Sequence, residues 1–180
     1  MKTARFFARI ALPLLVICTA VALLLAGVDM LTRDIISENS RLEKENAIRA
    51  LYPSLTDFSE REFAALPEGV NTVYLVYEGT RVSGNAVDLT VTGFGGDLNM
   101  MVAITPDGKV GGVRVISHGE TPGFGSRATA AEYLAQYIGL SGKLTLGEEI
   151  DAISGATVSS RAVLAGVNLA LSLELGGDAS

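Results

Sequence analysis

The stretch Met100-Met-Val-Ala-Ile-Thr-Pro-Asp-Gly-Lys-Val-Gly-Gly-Val-Arg-Val-Ile-Ser117 decides the fold. Two candidate strands, Met100 to Thr105 and Val110 to Ser117, flank the turn-forming segment Thr105-Pro-Asp-Gly108. In this segment the proline presets its own φ and the glycine accepts a positive φ. The stretch therefore predicts two antiparallel strands joined by a tight turn.

Further strands are predicted on both sides of this hairpin. Val73 to Tyr77 is rich in β-branched and aromatic residues and stops at Gly79. Ala86 to Thr92 is a second candidate, and Gly93-Phe-Gly-Gly96 interrupts it. Lys143 to Leu146 is a further short candidate on the C-terminal side. The pattern indicates a sheet built from consecutive antiparallel strands.

Helices are predicted around these strands. Apolar residues at helical spacing indicate one helix over Ala128 to Ile138 and another just after Ser160. The second helix is expected to end at Gly176-Gly177, and a short helical turn is expected around Glu60–Leu66. The apolar run of the second helix consists of Ala162, Val163, Gly166, Val167, Ala170 and Leu171. The expected fold class is α+β, a twisted antiparallel sheet with packed helices.

The segment Asp151-Ala-Ile-Ser-Gly-Ala-Thr-Val-Ser-Ser160 leads into the last predicted helix. Thr157, Ser159 and Ser160 are thus expected where backbone N–H groups lack intrahelical partners and the macrodipole is positive. Such a position suits a phosphate. The alternative is ordinary N-capping by Ser, Thr or Asp. No base is adjacent in the sequence to activate a hydroxyl.

A second candidate segment, His118-Gly-Glu-Thr-Pro-Gly-Phe-Gly125, follows the last strand of the hairpin. Its glycines and proline predict a fixed, open loop that brings backbone N–H groups close to a planar ring. Gly123 is expected to adopt a φ that a Cβ would disfavour, or to approach the ring closely. The alternative is a plain strand-to-helix connection in which Glu120 and Thr121 are solvated.

The composition excludes several classes of function. The net charge is −6 with no basic stripe, which argues against a nucleic-acid partner. Cys18 is the single cysteine and His118 the single histidine, so an intrachain disulfide and a multi-histidine metal site are excluded. No metal site is predicted, and a redox cofactor is expected to be organic. No Gly-x-Gly-x-x-Gly follows a strand, so the chain alone is not expected to oxidise NADH.

The N-terminal segment is predicted to anchor the chain in a membrane. Ile10 to Val28 carries no charge and would form a helix about 29 Å long, close to the thickness of a bilayer core. Lys2, Arg5 and Arg9 precede it, which predicts a cytoplasmic N-terminus. A cleaved signal peptide is the alternative, but its apolar region is typically shorter.

The expected organisation has four parts. They are a cytoplasmic N-terminus over 1–9, a transmembrane helix over 10–31, a helical linker over 32–69 and an extracytoplasmic domain over 70–180. Asp29 to Tyr52 is expected to continue the helix out of the membrane until Pro53 ends it. The predicted location is the cell (inner) membrane, with a single pass.

The chain resembles the FMN-binding domain family in separate motifs that occur in the family's order. The loop Glu120-Thr-Pro-Gly-Phe-Gly125 is similar to the Glu-Thr-Pro-Gly-Leu-Gly loop of that family, and Gly93-Phe-Gly-Gly96 to its Gly-Tyr-x-Gly element. The family includes the G subunit of Rnf ion-translocating electron-transport complexes, whose loop is the nearer match, and the C subunit of the sodium-translocating NADH:quinone reductase. The flavinylation motif of the family is matched by Asp151, Ser154, Gly155, Ala156, Thr157, Ser159 and Ser160.

The resemblance implies a site and a cofactor. FMN is expected to be bound covalently, through a phosphoester bond between its phosphate and Thr157. A separate flavin transferase is expected to make this bond, with FAD as the donor. The residues expected to lie beside the flavin are His118, Glu120, Thr121, Gly123 and Phe124.

The resemblance also implies a function. The chain is expected to be an electron-transfer subunit of a membrane-bound ion-translocating ferredoxin:NAD+ oxidoreductase (Rnf) complex. Its partners would be the other subunits and the lipid bilayer. Two alternatives remain open: a related membrane-anchored flavoprotein, of the quinone-reductase C type or serving extracellular electron transfer, and a non-redox membrane-anchored assembly module.

Overall fold

The computed structural model describes residues 2–63, 65–173 and 175, with the backbone alone over 2–11 and at position 34. The chain divides into two compact units, Met1–Leu42 and Glu43–Ser180. The strands are β1 (Asp57–Arg61), β2 (Val70–Glu78), β3 (Arg81–Thr92), β4 (Asp97–Ile104) and β5 (Val110–His118). The helices are α1 (Lys2–Leu51), α2 (Ala131–Leu134) and α3 (Thr157–Leu171).

The first unit contains the part of helix α1 up to Leu42. The helix contains an 18-residue window with a mean hydropathy of 2.5, and over Leu12–Leu51 it is long and apolar enough to cross a membrane. α1 continues as one helix to Leu51, and its last turn ends just before Pro53, as predicted. The reason is that proline has no N–H to donate and disfavours a helical conformation in the residue before it.

The second unit is built on a five-stranded antiparallel sheet with strand order β1-β2-β3-β4-β5. Every strand pairs with its neighbour in sequence, so the α+β class and the four predicted strands are confirmed. The turn between β4 and β5 closes with a hydrogen bond of 2.9 Å from the Gly108 N–H to the Thr105 carbonyl. Hydrogen bonds from Lys109 and Thr105 lower the pKa of Asp107 in this turn to about 2.

The helical turn predicted around Glu60–Leu66 is not found in the described residues: Glu60 and Arg61 belong to strand β1, and residues 62–63 and 65–66 have no regular secondary structure. Asp57–Arg61 pairs with the residues from Tyr77 back to Val73 along β2. The ring of Phe58 also packs edge-to-face on Tyr74 at a centroid distance of 5.7 Å. The pairing with β2 supplies backbone hydrogen bonds that the local sequence does not reveal.

The predicted helix over Ala128–Ile138 is broken into three short pieces. A 3-10 turn at Gly125–Thr129, α2 and a second 3-10 turn at Ala135–Tyr137 replace it. Ala130 and Ile138 are extended, which interrupts the helix at both places. The chain must leave the helical path after Ile138 because the Gly139 N–H donates to the Val110 carbonyl at 2.7 Å, at the start of β5.

The strand predicted at Lys143–Leu146 does not form. Leu146 makes only an isolated bridge with Ile150. The side chain of Asn168 on α3 binds both backbone groups of Leu144, accepting from its N–H at 2.8 Å and donating to its carbonyl at 2.9 Å. Because Asn168 occupies these groups, they are not available for strand pairing.

The sheet is covered on both faces. On one face α3 packs against alternate residues of β4, Met100, Val102 and Ile104. Gly166 of α3 permits this close approach, because a Cβ there would lie 2.6 Å from the Met100 sulfur. The main core buries Val73, Val87, Leu89, Tyr137, Ile150, Val163 and Val167.

The last turns of α1, which belong to the second unit, cover the opposite face of the sheet. Ala47 and Ile48 are buried there against Tyr74, Val76 and Met101. Lys44 Nζ lies 2.8 Å from Asp88 Oδ2, and Asp88 is 1% exposed. β4 is therefore buried on both faces along most of its length.

Candidate functional site

Helix α3 begins at Thr157, as the sequence predicts. The residue before it, Ala156, is the N-cap, and no side chain caps the helix. The alternative in which Ser, Thr or Asp caps this helix is therefore wrong. The first bond within the helix runs from the Ser160 N–H to the Ala156 carbonyl at 2.9 Å. The N–H groups of Thr157, Val158 and Ser159 thus have no acceptor within the helix.

A tight turn precedes Thr157, which lies at the surface. The Ala156 N–H donates to the Ile153 carbonyl at 2.9 Å, which closes the turn. Gly155 within it has φ +81°, a conformation that favours glycine. Ser154, Gly155 and Thr157 are all exposed. The helix therefore starts at the surface with an accessible threonine.

The two serines that follow Thr157 in the motif are buried. Ser159 and Ser160 are 1% and 0% exposed. The Ser160 oxygen accepts a hydrogen bond of 3.2 Å from the Ile153 N–H, which ties the helix to the turn before it. Ser159 donates to Glu120 at 2.8 Å. These two serines join structural elements, whereas Thr157 does not.

An open cleft of about 490 Å3 lies beside the start of α3. Its volume is in the range of small-molecule sites. Two exposed aromatic side chains, Phe94 and Phe124, belong to its wall; they are 74% and 65% exposed. The complete lining is Phe94, Thr121, Phe124, Gly125, Gly155, Ala156, Thr157, Val158 and Ser159.

The structure brings together residues from three segments that are distant in the sequence. Thr121 and Phe124 of the loop after β5 share the cleft with the Gly155–Ser159 stretch. Phe94, Gly125 and Val158 are additions that sequence reasoning did not name as site residues. The signal for Phe94 was present, since it is an aromatic residue inside the Gly93-Phe-Gly-Gly96 element.

Other predicted site residues do not line the cleft. His118 is exposed at the end of β5, where it pairs with Leu98. Asp151 is exposed, and its backbone N–H donates to the Gln136 side chain at 2.9 Å. Gly123 has φ +79°, which confirms the prediction of a conformation that disfavours a Cβ. Its N–H donates to the Ser126 hydroxyl at 2.9 Å.

Glu120 is buried behind the cleft, with 4% exposure. Its Oε1 accepts from the Phe94 N–H at 2.8 Å and its Oε2 accepts from the Ser159 hydroxyl at 2.8 Å. The carboxylate therefore links the Gly93–Gly96 turn, its own loop and the first turn of α3.

The cleft wall offers groups for binding and two exposed hydroxyl residues, Thr121 and Thr157. None of the lining residues is Asp, Glu, His, Cys or Lys. Nor does the described part of the chain contain a group of three or more such ligands for a metal ion. The free N–H groups and the positive end of the α3 dipole suit an anion such as a phosphate. The exposed rings of Phe94 and Phe124 suit a flat aromatic group. These features fit a ligand that combines a phosphate with a flat aromatic ring, as a flavin mononucleotide does.

A protein-family match spans the segments that form the cleft. Residues 93–172, which include the Phe94 turn, the loop and all of α3, match the FMN-binding domain family. The chain is also similar to Shewanella oneidensis NqrC, whose crystal structure aligns at 27% sequence identity over 67% of this chain and 69% of the NqrC chain, with a TM-score of 0.44.

Several curated relatives are G subunits of redox complexes. The G subunit of the ion-translocating oxidoreductase complex of Methanosarcina acetivorans is 34% identical over 68% of this chain and 70% of its own length. The protein of the same name from Stutzerimonas stutzeri is 29% identical over 91% of this chain and 79% of its own length. The G subunit of the proton-translocating ferredoxin:NAD(+) oxidoreductase complex of Clostridium ljungdahlii is 27% identical over 88% of this chain and 86% of its own length. The chain therefore belongs to the family of the G subunits of ion-translocating oxidoreductase complexes.

Proposed function

We propose that this chain is the electron-transfer subunit of a membrane-bound ion-translocating ferredoxin:NAD+ oxidoreductase complex, and that it carries FMN on Thr157 through a phosphoester bond. One observation carries the proposal. Thr157 is the exposed hydroxyl residue at the uncapped start of α3, and it lines a cleft inside the region that matches the FMN-binding domain. The bound flavin would supply the redox chemistry, and the chain would hold and orient it.

The covalent step needs a second enzyme. The threonine oxygen would form a bond to the FMN phosphorus of FAD, the pyrophosphate bond would break, and AMP would leave. The hydroxyl proton must go to a base. The residues lining the cleft offer none, because no Asp, Glu or His is among them. A flavin transferase is therefore proposed as the source of the base, and as a maturation partner of this chain.

The residues around Thr157 would bind the phosphate. The N–H groups of Thr157, Val158 and Ser159 lack helical acceptors, and the α3 dipole favours negative charge there. Arg161 lies one helical turn further on and is exposed. Long helical side chains lean toward the N-terminus, so the Arg161 guanidinium would reach back toward the phosphate.

The rings of Phe94 and Phe124 would border the isoalloxazine. Both are mostly exposed, which is unusual for phenylalanine unless something covers it. Thr121 would supply a polar contact from the same wall. Three of the predicted flavin neighbours do not line the cleft: His118, Glu120 and Gly123. We propose that they affect the flavin site from positions behind or beside the cleft.

The membrane location is proposed from α1. Lys2, Arg5 and Arg9 before the apolar stretch favour a cytoplasmic N-terminus. The proposed division is cytoplasmic residues 1–9, a single transmembrane helix over 10–31, a connecting segment over 32–69 in which α1 ends and β1 forms, and an extracytoplasmic domain over 70–180 with which β1 is paired. A covalent link would prevent loss of FMN from such a domain. The other subunits of the complex would then exchange electrons with it.

The test replaces the proposed attachment residue. Full-length Thr157→Ala, made in cells that contain the flavin transferase, is expected to lack the flavin fluorescence that survives a denaturing gel. Thr157→Ser keeps a hydroxyl and is expected to retain some. Ser172→Ala is the matched control, because Ser172 is an exposed hydroxyl at the other end of α3, outside both the motif and the cleft lining.

A peptide map completes this experiment. The fragment that contains Asp151 to Arg161 is expected to carry the mass of one FMN phosphoester in the wild type and none in Thr157→Ala. Gel-stable fluorescence in a folded Thr157→Ala protein would refute the assignment and redirect the search to the other hydroxyls of the motif.

A further inference from the structure

The buried carboxylate of Glu120 holds together the two sides of the cleft. Its Oε1 accepts the Phe94 N–H and its Oε2 accepts the Ser159 hydroxyl, both at 2.8 Å. Phe94 and Ser159 line the cleft, whereas Glu120 does not. Glu120 is separated from them by 26 and 39 residues of chain, respectively. A single side chain therefore fixes the distance between the Phe94 turn and the first turn of α3.

The backbone around Glu120 is shaped to receive this carboxylate. A Cβ on Gly93 would overlap Oε1, and a Cβ on Gly125 would overlap Oε2. A Cβ on Gly125 would also lie only 2.8 Å from the Ser159 hydroxyl oxygen. The two glycines thus form a slot that holds the Glu120 side chain in one position. An ordinary solvated glutamate needs no such slot.

The hydrogen-bonding chemistry explains why the residue is a glutamate. The Phe94 N–H can only donate, and an ionised carboxylate accepts on both oxygens without a proton to place. Aspartate is one methylene shorter and would not span both donors from the same backbone position. Glutamine has the same length as glutamate and can keep both hydrogen bonds, because its oxygen accepts from the Phe94 N–H and its amide group can donate to the Ser159 oxygen.

We propose that Glu120 is a positioning residue that sets the shape of the flavin cleft through Phe94 and Ser159, without contacting the flavin itself. The inference rests on the proposed function for the identity of the ligand. Removal of the carboxylate would release the Phe94 turn from α3 and change how the ring packs. The attachment hydroxyl of Thr157 is on neither hydrogen bond, so the phosphoester would still form.

The first measurement needs no flavin. Hydrogen exchange of the backbone around Gly93–Gly96 is followed in the full chain in detergent, in a Thr157→Ala background. Glu120→Ala is expected to speed exchange of the Phe94 amide about tenfold, since that amide loses its acceptor. Glu120→Gln is expected to keep it near the parent rate. Unchanged Phe94 exchange in Glu120→Ala would overturn the proposal.

The second measurement uses the flavin-bearing chain. Visible circular dichroism reports how asymmetrically the ring is packed. Glu120→Ala is expected to alter this spectrum and Glu120→Gln to restore it. If Glu120→Gln alters the spectrum as much as Glu120→Ala while its Phe94 exchange stays normal, the carboxylate touches the flavin directly and the positioning role is wrong.

Two further variants serve as a substitute and as a control. Glu120→Asp replaces Glu120→Ala if the latter does not fold, and it is expected to lose protection of Phe94 in the same way. Glu149→Ala is the matched control, because Glu149 also accepts a backbone N–H, from Thr145 at 2.8 Å, but lies outside the cleft lining. A wild-type chain without gel-stable flavin would defeat the proposed function, whereas the exchange result would still decide the role of Glu120.

Discussion

Thr157 and Ser159 stand two residues apart on the first turn of α3, yet one is exposed and the other is 1% exposed and bonded to Glu120. Side chains two residues apart on a helix point in different directions, so the fold gives them different environments. The same turn buries Ser160 against the chain before it. Only one hydroxyl of the first helical turn is therefore available to another enzyme.

Ser160→Ala is expected to reduce stability without affecting flavin attachment. The change leaves the Ile153 N–H without its acceptor, which costs about 1 kcal/mol in the free energy of unfolding. Denaturant unfolding and gel fluorescence measure the two effects. Ser172→Ala removes an exposed hydroxyl from the other end of α3 and serves as the control. A folded Ser160→Ala protein without covalent flavin would contradict the choice of Thr157.

Phe94→Ala and Phe124→Ala are each expected to change the flavin spectrum or midpoint potential while the covalent bond remains. Loss of either ring would expose the isoalloxazine to water on one side. Ile138→Ala is the control, because Ile138 is a comparably exposed apolar residue, 56% exposed, that does not line the cleft. Spectra and potentials that match those of Ile138→Ala would remove both rings from the site.

Gly123→Val is expected to perturb the flavin spectrum or potential and to leave the phosphoester intact. No atom lies within 4 Å of the position that a Cβ would take, so the change acts through the backbone, whose φ is +79°. A β-branched residue is strained there and would shift the loop that carries Phe124.

Gly139→Val is the matched control for this change. Gly139 has φ +83° and equally open space, but it lies away from the cleft lining. It is expected to cost similar stability and to leave the flavin unchanged. Identical flavin properties in both variants would show that the loop is a plain connection.

Lys44→Met is expected to destabilise the second unit by about 2 kcal/mol, since it leaves the buried Asp88 carboxylate without its cation. Lys109→Met breaks an exposed pair with Asp107 and is expected to have no measurable effect. Urea unfolding of the two variants compares them. Equal stabilities would mean that the Lys44 pair contributes nothing.

This ion pair also predicts a pH dependence. Burial alone would lower the pKa of Lys44, but the hydrogen bond and charge of Asp88 outweigh it, so the pKa is raised above its usual 10.5. Its contribution to stability is therefore complete below pH 10.5 and is lost as the pH rises through the raised value. The stability gap between wild type and Lys44→Met is expected to narrow only at strongly alkaline pH.

Protease added to intact cells without their wall is expected to digest the chain beyond the transmembrane helix, from about Asp29 onward. The positive charges before the helix favour this orientation. A cytoplasmic marker protein in the same cells controls for leakage. Protection of the domain until the membrane is opened would reverse the proposed topology.

Local sequence determined much of this protein. The Thr105–Gly108 turn, the strands on either side of it and the start of α3 follow from turn chemistry and from the spacing of apolar residues, which act within a few residues of chain. The length and composition of α1 follow in the same way. Local sequence alone left ordinary capping and a plain connection as alternatives at the motif around Thr157 and at the Glu120–Gly125 loop, and the resemblance to the FMN-binding domain family is what singled them out as candidate sites.

Only the tertiary structure decided the rest. β1 exists because Asp57–Arg61 pairs with β2, and the chain leaves the helical path after Ile138 where Gly139 bonds to Val110. The buried position of Ser159 includes a hydrogen bond to Glu120, which lies 39 residues away in the chain. These contacts join segments that are distant in the sequence, and the local pattern of one segment does not predict its contact with another. Burial and hydrogen bonding in the folded chain therefore leave Thr157 as the exposed hydroxyl residue on the first turn of α3.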